Sequence, residues 1–253
     1  MTRGAPEINR EFYAQTTPGQ LDYWRLMAAP RFRMETFIRH LSVGPISSVV
    51  DLGCGNGQLL AELSARYPAA SLTGIDLSEP RIEANEKAMP AITWVAVDLE
   101  LPDAIHPDMH GRYDAVIASE IIEHLADPAS FLKSALALAR HGAGRLLLST
   151  QGGPLRETER RVGHLRHYEA GEMGSLLERA GWRVERLWNA GWPFHDLSKW
   201  WANRSPDATM ARFSERGYGP AERLVCAALR AAFRLNSGRR GAQLFAIARR
   251  PEG

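Results

Sequence analysis

This sequence predicts an α/β protein built on a doubly wound, mostly parallel sheet, and three observations carry that prediction. Short β-branched runs alternate with helical stretches from Ser47 onward; a glycine-rich turn joins the first run to the first helix; and no apolar run is long enough to leave the soluble globular class. In such sheets ligands bind at the carboxyl ends of the strands, where the strand order switches.

Residues 1–45, with Tyr13, Trp24, Phe32 and Phe37 among many arginines, read as an N-terminal cap of one or two amphipathic helices that end before Gly44-Pro45. They are expected to pack on the main pattern or cover it. The domain proper, residues 46–253, begins with the strand-like "SSVVDL", a helix near Gln58 to Tyr67, "SLTGID", a helix near Pro80 to Met89, and "ITWVAVD". It continues with "YDAVIAS", a helix near Pro128 to His141, "GRLLLST", a helix near Gly171 to Ala180, and "WRVERLW". A helical insertion at about 195–238 follows, with an apolar face through Leu224, Val225, Ala228, Leu229, Ala232 and Phe233, and "AQLFAIA" closes the pattern as a last strand. The insertion is a candidate wall for a substrate pocket; the alternatives are that it packs on the sheet or supports a dimer.

The 253 residues, 45% hydrophobic and 24% charged, fit one domain with additions. A net charge of +2 gives no overall field for nucleic acid, and the basic run from Arg230 to Arg250 reads as a solvated face. Cys54 sits in the glycine turn and Cys226 in a helical pattern, so no disulfide framework is expected and a reducing cytoplasm is. Neither export nor a transmembrane helix is expected.

"VVDLGCGNG" places Gly53, Gly55 and Gly57 in alternate positions after a strand, where the backbone turns sharply and a ligand can approach without a Cβ in the way. Asp76 ends the next strand and can accept hydrogen bonds from the two hydroxyls of a ribose; the alternative is a helix N-cap shared with Ser78 and Glu79. The spacing is G-x-G-x-G after an acidic residue, not the G-x-G-x-x-G that faces a pyrophosphate. Asp51 would serve an anion poorly, but it can orient the loop or attract an ammonium or sulfonium group. That points to S-adenosylmethionine.

These residues resemble the class I S-adenosylmethionine-dependent methyltransferases over roughly Ile46 to Trp188 plus the final strand. "VVDLGCGNG" is similar to the family's glycine motif, "GIDLS" to its ribose-binding segment and "VAVDLELP" to the segment that meets the adenine. The resemblance implies a Rossmann-like seven-stranded sheet with an antiparallel last strand. It also implies cofactor contacts at Asp51, Gly53, Cys54, Gly55, Gly57, Asp76 and Leu77, with Asp98 on the adenine amine, Leu99 on the ring and Ser119 near the methionine portion.

"ASEIIEHL" puts Glu120, Glu123 and His124 at i, i+3 and i+4, neighbours on one side of a helical turn if the segment is helical. Three readings are open. His124 alone is catalytic, a general base with an ordinary pKa near about 6.5, as "SEIIEHLADPASFL" resembles the ubiquinone-pathway O-methyltransferase branch. Or Glu120, Glu123 and His124, with His164 or His167, hold a metal, as E-x-x-E-H resembles small-RNA 3′-end methyltransferases. Or Asp127-Pro128 starts a helix and the charges form a solvated turn. His164 and His167, with Tyr168 beside them, fall near the same rim and could bind the acceptor or share the proton work.

No Asn-Pro-Pro-Tyr type segment follows this strand, which favours an oxygen acceptor over nitrogen, and "LRETERRVGHLRHY" carries too few aromatics to read as a nucleic-acid surface. Trp188, Trp192, Phe194, Trp200 and Trp201 form a dense aromatic stretch, either a pocket lining or a seam, the seam suiting Trp200 and Trp201 more than Trp192 and Phe194. The helix around Leu224 to Phe233, basic at its edges, could touch a membrane surface. The expected partner is a small-molecule acceptor such as a quinone-like phenol, a natural product or a sugar. A cofactor-binding protein without catalysis is the reading from a different class.

Overall fold

The computed structural model describes residues 18–42, 46–101, 104–214 and 217–252; Tyr13, the rest of the first 17 residues and the Gly44-Pro45 stop lie outside them. Seven strands form one sheet: β1 (Ser48–Leu52), β2 (Ser71–Asp76), β3 (Thr93–Ala96), β4 (Ala115–Ser119), β5 (Arg145–Gln151), β6 (Arg183–Ala190) and β7 (Gln243–Arg249). Their order is β3-β2-β1-β4-β5-β7-β6, with β7 antiparallel to both neighbours and the other pairings parallel. The order reverses between β1 and β4, so the crevice beyond their carboxyl ends is where a ligand fits.

Side chains alternate across the sheet, and each face buries its own set. Val50, Leu52, Val116 and Leu146 pack on Phe131, Leu132 and Leu138 of α5 (Pro128–Leu138) and on Leu177 of α7 (Ala170–Arg179). Val49, Ile117, Leu147 and Phe245 pack on α2 (Ala28–Leu41) and on Leu60 and Leu63 of α3 (Gln58–Arg66). Burial on both faces explains why the central strands are nearly continuous apolar runs in the sequence. Asp127 starts α5, its Oδ1 accepting the N–H groups of Ala129 and Ser130. α5 stops at Leu138, short of the expected His141, because Ala139 leaves the helix to pair with Tyr113 and Arg140 N–H donates to the Tyr113 carbonyl.

Among the described residues two helices precede the sheet, α1 (Pro18–Leu26) and α2; α4 (Glu79–Ala88) follows β2, and a short α6 (Glu157–Arg161) follows β5. Between β6 and β7 lie α8 (Phe194–Ala202), α9 (Pro206–Ser214) and α10 (Pro220–Phe233). They brace the N-terminal helices: Phe233 meets Phe32 edge-on at 6.2 Å, Cys226 Sγ lies 3.5 Å from Met27 Sδ, and Tyr218 N–H donates to Asp22. Lys199 Nζ donates to Gln151 Oε1 at 2.6 Å, tying α8 to the end of β5. Among the described residues no helix is long and apolar enough to cross a membrane.

Candidate functional site

A cavity of about 180 Å³ opens at the carboxyl ends of β1, β2 and β4. Its floor is the glycine turn after β1, Asp76 and Leu77 after β2, Asp98 and Leu99 beyond β3, and Ser119, Glu120 and His124 around the end of β4. Its roof is Trp24, Pro30, Arg33, Met34 and Phe37, all from α1 and α2. The N-terminal cap therefore covers the site; of the two roles open to the insertion, wall or packing, its described residues do not line the cavity, and it braces that cover instead. None of the five aromatics of the "WNAGWPFHDLSKWW" stretch lines the cavity. Trp188 stacks on Phe245 with ring centroids 5.2 Å apart, whereas Trp200 and Trp201, which suited a seam more than Trp192 and Phe194 did, are exposed.

The glycine turn closes through Gly53 and Cys54, whose N–H groups both donate to the Ile75 carbonyl. Gly55 is held on both sides of its backbone: its N–H donates to Asp76 Oδ2 at 2.8 Å, and its carbonyl accepts Asn85 Nδ2 at 2.8 Å. It has φ +53° and open space where a Cβ would stand, so a ligand can lie against bare backbone. Gly57, expected at the ligand, lies off the cavity; a Cβ there would sit 2.5 Å from the Trp94 ring, so its role is to bring α3 down onto Trp94.

Asp76 Oδ1 accepts the Ser78 N–H at 3.0 Å, so the carboxylate both ties the start of α4 and faces the cavity. Each oxygen keeps a further lone pair for a ribose hydroxyl. The Ser78 side chain makes no cap. Asp98 Oδ1 accepts the Glu100 N–H, fixing the loop that carries Leu99. Leu77 is 40% exposed at the cavity, an apolar surface available to a ring.

Asp51 is buried, and its Oδ1 has no hydrogen-bond partner. Burial and the neighbouring Asp76 charge push its carboxyl up to about 8. A buried acid held neutral for want of a partner fits a ligand that brings its own positive charge.

The expected one-sided helical turn of Glu120, Glu123 and His124 is not formed. Glu120 has φ +54°, a left-handed kink that ends β4, and Ile122–His124 make a single 3₁₀ turn. The two glutamates bond to different partners. Glu120 accepts from Ser149 Oγ (3.0 Å), Gln243 Nε2 (2.9 Å) and Gln151 Nε2, with Arg33 Nη1 at 3.7 Å. Burial opposes its charge, but Arg33 and these donors outweigh it and hold the carboxyl below the usual range. Glu123 is fully buried, accepts from Thr150 Oγ1 on one oxygen, and has no partner on Oε1. Burial and the Glu120 charge push it well above the usual range. The two neighbouring carboxyls are thus pushed in opposite directions.

His124 lines the cavity; His164 and His167 stand behind it, with ring centroids 4.6 Å apart for the first pair and 5.4 Å for the second. Backbone carbonyls fix the tautomers of the neutral rings. His167 Nδ1 donates to the Gly153 carbonyl at 3.1 Å, so its Nε2 accepts from His164 Nδ1 at 3.2 Å. His164 is left with a free Nε2 lone pair. His124 spends its N–H on the Gly163 carbonyl, and burial lowers its pKa to about 4, well under the ordinary value expected from sequence. Burial also lowers His164 and His167. Glu123, His124 and His164 have ligand atoms all within 4.8 Å of one another, so the geometric cluster contains His164 in place of Glu120. Tyr168, expected at the rim, is buried and donates to the Ile122 carbonyl.

Arg33 was absent from the residues expected at the site. Its signal lies in α2, where Pro30, Met34, Phe37 and Leu41 are buried on one stripe and Arg33, itself 4% exposed, interrupts it. A charge on an apolar stripe needs a buried partner.

Residues 20–187 match a family model described as a methyltransferase domain. The chain is 31% identical over 112 residues to the malonyl acyl-carrier-protein O-methyltransferase of Anoxybacillus flavithermus, 44% of this chain and 41% of that protein. It is 38% identical over 107 residues to the ubiquinone biosynthesis O-methyltransferase of Bordetella pertussis, 40% of this chain and 42% of that protein. The chain thus spans less than half the length of these curated relatives. The solved 1,6-didemethyltoxoflavin-N1-methyltransferase of Burkholderia thailandensis, with S-adenosylhomocysteine bound, superposes with a TM-score of 0.61 at 17% identity, covering 97% of this chain and 88% of that one, a likeness of fold. Match, sheet order and glycine turn agree: the chain belongs to the methyltransferase-domain family, with the sheet order and glycine turn of the class I S-adenosyl-L-methionine-dependent methyltransferases.

Proposed function

We propose that this chain methylates a hydroxyl oxygen of a small molecule seated between the N-terminal helices and the end of β4, with His124 taking the hydroxyl proton. The observation that carries the reading is His124 itself: a cavity-lining imidazole held by the Gly163 backbone, whose low pKa leaves it in the neutral form of a base near pH 7. A base of low pKa takes a proton only from an acidified hydroxyl. That favours a phenol or enol over a sugar, with Arg33 beside the cavity to stabilise the oxyanion and Trp24, Met34 and Phe37 to hold a ring. The two O-methyltransferase relatives support an oxygen acceptor. Asp76 and Asp98 would bind the ribose and adenine, and the Gly53–Gly55 backbone the methionine portion, so that acceptor and methyl group meet in line near Ser119. Cys54 and Cys226, both buried free thiols, support a cytoplasmic location.

A second reading, a metal-assisted transfer, is supported by the ligand atoms of Glu123, His124 and His164, all within 4.8 Å of one another, and by Glu123 Oε1, which has no hydrogen-bond partner. Transfer of labelled methyl groups to a panel of phenols and alkyl alcohols, with and without chelator and in His124→Asn, tests both. Transfer to phenols that survives chelation and collapses in the variant is the result expected. Loss on chelation with rescue by a divalent ion selects the metal, and full activity in His124→Asn refutes the base.

A further inference from the structure

The helix α10 carries two apolar stripes. Cys226 and Phe233 are buried and Leu229 is half-buried, one stripe turned to α2 and α8. The face expected from sequence mixed this stripe with another. Ala221, Leu224, Ala228, Ala231 and Leu235 recur at i, i+3, i+7, i+10 and i+14 on the opposite side, and all five are exposed, Leu224 and Leu235 at 73% each. Leu235 stays in line because Arg234 and Leu235 continue the helix with i→i+3 bonds. Val225, 58% exposed, widens the stripe on one edge.

The other edge is basic. Arg223, Arg230 and Arg234 follow one another along it, and Arg239 and Arg240 lie exposed beyond its end; Glu222 is the single acidic residue of the helix. Trp192, 51% exposed, is bonded through its backbone to Ser237 and Arg240, which sets an indole at the arginine end. A second copy of this face would bring arginines near arginines, whereas an acidic surface with an apolar interior matches it in both charge and polarity. We infer that the outward stripe of α10, with its arginine edge and Trp192, docks the protein on an anionic lipid surface, the helix lying in the plane of the headgroups.

Co-sedimentation with phosphatidylcholine vesicles made with or without phosphatidylglycerol tests this. Wild type is expected to pellet with the anionic vesicles only, and less as salt rises. Leu224→Glu/Leu235→Glu should abolish pelleting, and Arg234→Glu/Arg239→Glu/Arg240→Glu should weaken it by roughly fivefold or more for each arginine. Both variants change exposed positions away from the cavity, so S-adenosylhomocysteine affinity should stay unchanged and certify folding. Three results would overturn the inference: no pelleting by wild type, binding indifferent to both variants, or a dimer in sedimentation velocity that Leu224→Glu dissolves while vesicles are ignored. Should a variant misfold, salt and headgroup dependence in wild type decides alone.

Discussion

Arg33 Nη1 lies 3.7 Å from Glu120 Oε2, joining α2 to the kinked end of β4 across the cavity. Both side chains are nearly sealed from water, so removing one leaves the other as an uncompensated buried charge. Arg33→Met is expected to destabilise the fold by about 3 kcal/mol near neutral pH and to raise the Glu120 pKa. The loss should shrink on adding Glu120→Gln, since the double variant leaves no unpaired charge. Urea unfolding of the four proteins as a double-mutant cycle measures it. Equal losses in single and double variants would refute the coupling.

Gly55 and Gly57 share left-handed backbones but separate affinity from stability. Alanine at Gly57 combines φ +67° with a Cβ 2.5 Å from the Trp94 ring, so Gly57→Ala should cost about 2 kcal/mol or more in unfolding free energy. Gly55→Ala meets no atom within 4 Å, and its Cβ would stand in the cavity. Its expected effect is mainly a loss of S-adenosylhomocysteine affinity, read by calorimetry beside thermal melting.

Asp51 should make cofactor binding pH-dependent. Its carboxyl, raised to about 8, is protonated near pH 7; a sulfonium seated by it favours the ionised form, so binding should release a proton. Calorimetry of S-adenosylmethionine in buffers of different ionisation enthalpy should show that release. The uncharged thioether of S-adenosylhomocysteine should show less, and Asp51→Asn none.

The strands, the glycine turn and the alternation of elements were legible because burial on both faces and turn chemistry are written residue by residue. The site above the turn was less so. Periodicity read Glu120, Glu123 and His124 as one helical face, but a glutamate with φ +54° is a local exception that spacing cannot announce, and it exchanges Glu120 for His164 in the cluster. The aromatic stretch after β6 attracted attention by density, although Trp192, Trp200 and Trp201 face solvent. Arg33 carried a readable signal, a charge within an apolar stripe, that matters only once its distant partner on β4 is known.

Glu123→Gln separates the two mechanisms. Without metal, burial and the Glu120 charge favour the neutral form of Glu123, and glutamine reproduces a neutral donor and acceptor of the same shape, so activity should change by less than about threefold. As a metal ligand it must ionise, and the amide should cost 10- to 100-fold or more in activity or metal affinity. Steady-state rates with and without added divalent ion give the answer.

The acid limb of the pH profile tests His124 as the proposed base. With its pKa lowered to about 4, the imidazole stays neutral from about pH 7 to about pH 5, and kcat/KM should be flat in His124 protonation across that range. A base of ordinary pKa would lose roughly thirtyfold by about pH 5. The same depression has a stability consequence of fixed sign. Between about pH 6.5 and 4 the unfolded chain binds a proton that the folded site refuses, so unfolding free energy falls as pH falls through that window. His164 and His167, also held low by burial, push the same way. Urea unfolding at stepped pH should therefore slope downward toward acid in wild type and less steeply in His124→Asn. An unaltered slope in that variant would place the titration elsewhere and remove the physical basis for a neutral His124.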